Sequence, residues 1–135
     1  MALIEWNESF SVGVAFFDMQ HKQLIGMLNE LHDAINAGKG NEAVVPTLQR
    51  LSGYWFMHFT AEEQKMKELN YPDFKTHQME HVAFASKVKE FKTDFSYDQA
   101  ERPTEILNFL KNWFVTHIAG TDLKYKEFFN SQGMH

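Results

Sequence analysis

Apolar side chains recur at helical spacing along four stretches of the chain, and short clusters of Gly, Asn and Pro separate them. Residues 1 to about 17 lack that period and form an irregular arm in which Trp6, Phe10 and Phe16 are available to pack. Asp18 is then placed to cap a helix over about 18–37, whose stripe is Leu24, Leu28, Leu31 and Ile35, with Gly38 and Gly40 as its stop. A second helix is predicted over about 42–69. It tolerates Pro46 in its first turn, carries Leu48, Leu51, Trp55, Phe59, Met66 and Leu69, and stops at Asn70-Tyr71-Pro72. Pro72 opens a third helix over about 73–95, with Phe74, Phe84, Val88, Phe91 and Phe95 on its stripe, and a polar link from Ser96 to Arg102 follows. Pro103 starts the fourth, about 103–130, with Ile106, Leu107, Leu110, Trp113 and Phe114. Helices of this length on short loops pack as antiparallel neighbours. The expected fold is all-α, an up-down-up-down antiparallel four-helix bundle with an irregular N-terminal arm, forming a single domain over 1–135.

Composition narrows the chemistry. The 135 residues suffice for one core without staples, and 13 Phe against 3 Pro and 7 Gly fit long helices around an aromatic interior. A net charge of −5, with no basic cluster, argues against nucleic acid as a partner. With no cysteine, disulfides, thiolate zinc sites and iron–sulfur clusters are excluded, so any metal must be held by nitrogen and oxygen. Neither a signal peptide nor an apolar run of spanning length is present, which predicts a cytoplasmic protein without membrane insertion. Its size suits a monomer.

Five of the seven histidines fall inside the predicted helices beside carboxylates or one another: His21 in the first, His58 and Glu62 in the second, His77 and His81 in the third, His117 and Asp122 in the fourth. Residues four apart lie only about 40° apart around a helix and about 6 Å along it, so His58/Glu62 and His77/His81 each aim two donors at one point. In an antiparallel bundle all seven fall at one level. A lone histidine on an apolar face is usually a hydrogen-bonded core residue, but five with two carboxylates in one aromatic layer would cost several kcal/mol in desolvation without a cation, on the order of known burial penalties. Seven N/O donors suit two six-coordinate ions sharing bridges better than one tetrahedral zinc. If both carboxylates and one oxygen atom bridge, a single coordination position stays open for a small ligand.

The ordered motifs resemble those of the hemerythrin family: the histidine of Asp18-Met19-Gln20-His21, then His58 to Glu62, His77 to His81, and His117 to Asp122. That resemblance, which spans essentially the whole chain, implies two iron ions and reversible O2 binding, without enzymatic turnover. It implies that His77, His81 and His117 hold the saturated iron, that His21 and His58 hold the open one, and that Glu62 and Asp122 bridge. A dry aromatic pocket would protect the centre, with Phe59, Trp113 and Phe114 as wall candidates, each of which ordinary core packing also explains. Tyr125 resembles a tyrosine of the family that supports the ligands from outside, and a plain core or rim tyrosine explains it equally well. An O2-consuming enzyme would be a natural partner.

Other readings of the same residues compete. His77 to His81 also matches the inverted zinc-protease motif, with Glu80 as base, but that leaves the other five donors unexplained, and Glu80 is expected to face solvent. A ferritin-like di-iron oxidase or peroxidase shares the bundle, yet uses Glu-x-x-His pairs that are absent here. Sensing of O2, redox state or NO is a third class, which typically needs a fused output module. Glu63 is expected to pair with Lys67 in solvent, Asp18 to act as a cap, and His32, about 16 Å along the helix from His21, to lie outside the site. Finally, His117 and Asp122 are five apart and diverge by about 140° on a regular α-helix, which predicts a π-bulge or a break between them, with Gly120 as its enabling residue.

Overall fold

The computed structural model describes residues 3–94 and 102–135. Four long helices account for most of them: α1 (Ala15–Asn36), α2 (Gly40–Glu68), α3 (Phe74–Asp94) and α4 (Arg102–Thr116). Beyond α4 the chain passes through a π turn, His117–Thr121, and a 3-10 turn, Asp122–Tyr125, into a short helix α5 (Lys126–Ser131). No strand occurs among the described residues. Phe95 and most of the predicted 96–102 link lie outside them; Arg102 is already helical.

Cross-helix pairs give the directions. Along α1 and α2, Gln20 meets His58, Gln23 meets Tyr54 and Glu30 meets Arg50, so one number rises as the other falls. Between α2 and α3, Glu63 meets Gln78 and Ser52 meets Lys92. Between α3 and α4, Phe91 packs on Phe109 and Phe84 on Trp113. The bundle is therefore up-down-up-down. Its core is the predicted stripes: Leu24, Leu28, Leu31, Leu48, Leu51, Ile106, Leu110 and Phe114 are fully buried. Each such side chain contributes about 1.5–3 kcal/mol of transfer free energy.

Boundaries shift for local reasons. The first helix starts at Ala15, earlier than expected, and Asp18 does not cap it: its carboxylate accepts from Ser11 Oγ at 2.6 Å and Val12 N at 2.8 Å, clamping the arm onto α1. Phe17, now helical, is the buried ring, whereas Phe16 faces out. The arm carries a 3-10 turn, Glu8–Phe10, and is held further by Asn29, which exchanges two hydrogen bonds with the backbone of Ile4. Gly38 ends α1 with φ of 77°. Gly40 instead begins α2, where a Cβ would meet Ile35 at 2.8 Å and Pro103 at 3.1 Å. Pro46 sits in the second turn of α2, not the first, so the carbonyl of Glu42 loses its helical partner.

Candidate metal centre

The donors predicted from spacing meet in one buried layer. His21, His58, Glu62, His77, His81, His117 and Asp122 are each at most 2 % exposed, and they form two overlapping groups. One comprises His77, His81 and His117, the other His21 and His58, and both include Glu62 and Asp122. The two carboxylates straddle the groups. Glu62 Oε1 lies 3.3 Å from His77 Nε2 and 3.4 Å from His81 Nε2, while its Oε2 lies 3.2 Å from His58 Nε2 and 3.5 Å from His21 Nε2. Asp122 does the same: Oδ1 is 3.0 Å from His77 and 2.9 Å from His117, and Oδ2 is 3.3 Å from His21.

The π turn brings Asp122 into this layer. Its N–H bonds back to the carbonyl of His117, five residues earlier, so the wider turn returns residues five apart to one face. Gly120 is not what permits it. That residue is exposed, its φ is not positive, and a Cβ there would have open space around it. Gly120→Ala is therefore expected to be neutral to stabilising, by up to about 1 kcal/mol, with iron retention unchanged. Iron loss from this variant, measured by metal analysis after chelator challenge, would show that glycine is required.

All five imidazoles point Nε2 inward, and three of the outward Nδ1 atoms find partners that spacing did not reveal. His58 Nδ1 faces Gln20 Oε1 at 2.5 Å, His81 Nδ1 faces Glu63 Oε2 at 2.8 Å, and His117 Nδ1 faces Glu80 Oε1 at 3.1 Å. Glu63 thus serves His81 and Gln78 and not Lys67, whose ammonium lies over the Phe74 ring. Nor is Glu80 turned to solvent alone, since Thr121 Oγ1 also donates to it. Tyr125, fully buried, donates its hydroxyl to Glu62 Oε2 at 2.6 Å. His32 stays apart, bonded locally to Asn36.

Aromatic rings back the imidazoles. Phe59 stacks on His81 with centroids 3.7 Å apart, and Trp113 stacks on His117 at 4.3 Å. Trp113 therefore packs on the three-histidine group, whereas Phe59 spans both, since its ring centroid also lies 6.0 Å from that of His58. Phe114 meets His21 edge-on at 6.3 Å, and Phe17, which the pattern did not single out, meets His58 edge-on at 6.0 Å.

The electrostatics call for cations. His21 and His58 aim Nε2 at each other across 2.9 Å, and His81 and His117 do so across 3.2 Å, so four lone-pair nitrogens converge in pairs where a cation would be shared. Both oxygens of Asp122 are buried without an aligned hydrogen-bond donor. Burial works to lower the pKa of His21 and His77, but the Asp122 and Glu62 carboxylates outweigh it and push them up to about 9 and about 10. Burial likewise works to raise Glu62 and Asp122, yet the surrounding imidazoles hold both well below the usual carboxylate range. For His58 burial prevails and the pKa falls. The donor set fits two cations sharing two carboxylates.

A proton linkage follows for the metal-free chain. His21 and His77 bind protons more tightly folded than unfolded, so the stability they contribute is complete below pH 6.5 and is lost as pH rises through about 9 and about 10. Thermal melts of the metal-free protein should show Tm falling across that window, and a Tm that rises instead contradicts this account. Metal loading should remove the slope, because the ions take the protons' place.

The family model described as the hemerythrin HHE cation binding domain matches residues 12–129. The chain belongs to the hemerythrin family. Among its relatives, the bacteriohemerythrin of Methylococcus capsulatus is 34% identical over 93% of this chain and 95% of that protein. A hemerythrin-like protein of Naegleria gruberi is 35% identical over 90% of this chain and 89% of that one. Among solved structures, a wild-type hemerythrin superposes with a TM-score of 0.84 at 32% identity, over 93% of this chain and 97% of that one. The hemerythrin bundle is thus the fold that holds the seven donors at one level.

Proposed function

We propose that His77, His81 and His117 hold one iron, that His21 and His58 hold the other, and that Glu62 and Asp122 bridge them. The function is O2 binding at this non-haem di-iron centre. The observation that carries the ligand assignment is the straddling of both carboxylates, each with one oxygen toward each histidine group. When bound, the two irons supply electrons and an open position that allow O2 to bind and leave.

The chain's own residues do the rest. Unequal donor numbers leave the His21/His58 side short of ligands, which makes it the side for O2. Phe17 and Phe114 close that side with rings and keep water out. Tyr125 holds Glu62 in place, and burial together with the Glu62 and Asp122 charges keeps its phenol protonated by raising its pKa well above the usual value. Five neutral imidazoles with two carboxylates form a less anionic shell than the carboxylate-rich oxidase sites, which favours carriage over turnover. All seven donors come from one chain, so a monomer suffices, and no helix among the described residues is long and apolar enough to cross a membrane. A cytoplasmic carrier serving an O2-consuming enzyme is the role we assign.

The test is optical. Anaerobically reduced, iron-loaded protein should gain a visible absorption band in air and lose it under argon over repeated cycles. Stoichiometric H2O2 release or rapid substrate oxidation at each exposure would replace carriage with oxidase chemistry.

A further inference from the structure

The five imidazoles differ in what their outward nitrogen meets, and the difference divides along the two histidine groups. On the three-histidine side, His81 donates to the Glu63 carboxylate and His117 to the Glu80 carboxylate. On the two-histidine side the one partner is the neutral amide oxygen of Gln20, which takes the proton of His58. The Nδ1 atoms of His21 and His77 have no partner. Both carboxylates are themselves fixed, Glu63 by Gln78 Nε2 at 3.0 Å and Glu80 by Thr121 Oγ1 at 2.9 Å.

An imidazole whose N–H points at a carboxylate carries more electron density on its other nitrogen and is a stronger donor to a metal; an amide acceptor has a much smaller effect. Two negative charges close to one ion also favour its more positive oxidation state by Coulomb attraction. We propose that Glu63 and Glu80 are positioning residues that act through His81 and His117 to lower the reduction potential of the three-histidine iron, while Gln20 leaves the iron on the O2 side the weaker-donated of the pair. The centre is then electronically lopsided: Fe(II) on the three-histidine side gives up its electron more readily and becomes Fe(III) first. This rests on the ligand assignment above. Its consequence is a lower O2 affinity when either charge is removed.

The experiment is a redox titration of iron-loaded protein against a one-electron mediator such as ferricyanide, which accepts the electron released. Glu63→Gln and Glu80→Gln keep an acceptor oxygen in place and remove only the charge. Each should raise the potential of the first oxidation by about 59 mV, a tenfold change in the redox equilibrium for one electron. The double variant should shift further, and Gln20→Glu should lower the potential of the second step. O2 should leave each Gln variant several-fold faster. If the carboxylates merely hold the rings in orientation, the Gln variants will match the wild type and Glu63→Ala and Glu80→Ala alone will depart from it. That result overturns the proposal. Glu80 is partly exposed, so its variants test the idea even if those at Glu63 fail to fold. Iron content separates the two levels. Two irons per wild-type chain with potentials unmoved by the Gln variants leave the ligand assignment standing and remove the lopsidedness; wild-type protein that retains fewer than two removes both.

Discussion

Glu62→Ala is expected to cut bound iron from two ions per chain to one or none and to destabilise the bundle at the same time. Glu62 is the residue that touches most of the centre: its two oxygens face His77 and His81 on one side and His58 and His21 on the other. On the proposed assignment alanine removes a bridge from both ions at once, and it leaves the Tyr125 hydroxyl buried without its acceptor. A hydrogen bond to a charged group is worth about 1.5–3 kcal/mol, and an orphaned buried hydroxyl adds about 1–3 kcal/mol. Metal-binding free energy is also folding free energy for a site absent from the unfolded chain. Iron analysis and thermal melts should therefore fall together. Glu30→Ala is the control: it breaks an exposed pair with Arg50 and should cost no more than about 1 kcal/mol, with iron unchanged. A Glu62→Ala protein that keeps both irons would disprove the bridging role.

Phe17→Ala is expected to lower stability by about 3–5 kcal/mol, the usual range for emptying a buried phenylalanine site. The ring is 1 % exposed and lies within 6.1 Å, centroid to centroid, of His58, Tyr125 and Phe129. It therefore joins the N-terminal end of α1 to α5 and to the ligand layer. Little can collapse into the gap, because its neighbours are held by hydrogen bonds: His58 by Gln20, and Tyr125 by Glu62. In a domain of this size the loss corresponds to a fall in Tm of roughly 10 °C or more. The vacated volume beside His58 also admits water, so the reduced protein should oxidise irreversibly in air several-fold faster than wild type. Phe16→Ala, one residue earlier, removes a ring that is half exposed and should change neither quantity appreciably. Equal effects from the two substitutions would mean that the wall lies elsewhere.

How far the sequence reached is clearest at the metal centre. His58 with Glu62, and His77 with His81, were legible because the rise and turn of one helix fix the angle between residues four apart whatever else the chain does. Helix lengths and short loops placed all seven donors at one depth, and the five-residue gap between His117 and Asp122 announced a wider turn, which the structure has as His117–Thr121. Each inference concerned a relation inside one helix or a sum of helix lengths. The features that escaped are relations between helices. Gln20 serving His58, Glu63 serving His81 and Glu80 serving His117 depend on how far each helix is rotated and how close its neighbour stands, differences of a fraction of a turn that an apolar stripe does not specify. The same reason explains why Phe17 and not Phe16 is inside, why Phe59 and Trp113 stack on His81 and His117, and why Gly120 is a bystander. Sequence alone determined which seven residues gather in one layer and at what level they meet. Tertiary packing decided what stands behind each one, because a hydrogen bond across two helices is made or lost over about 1 Å, on the scale of hydrogen-bond geometry.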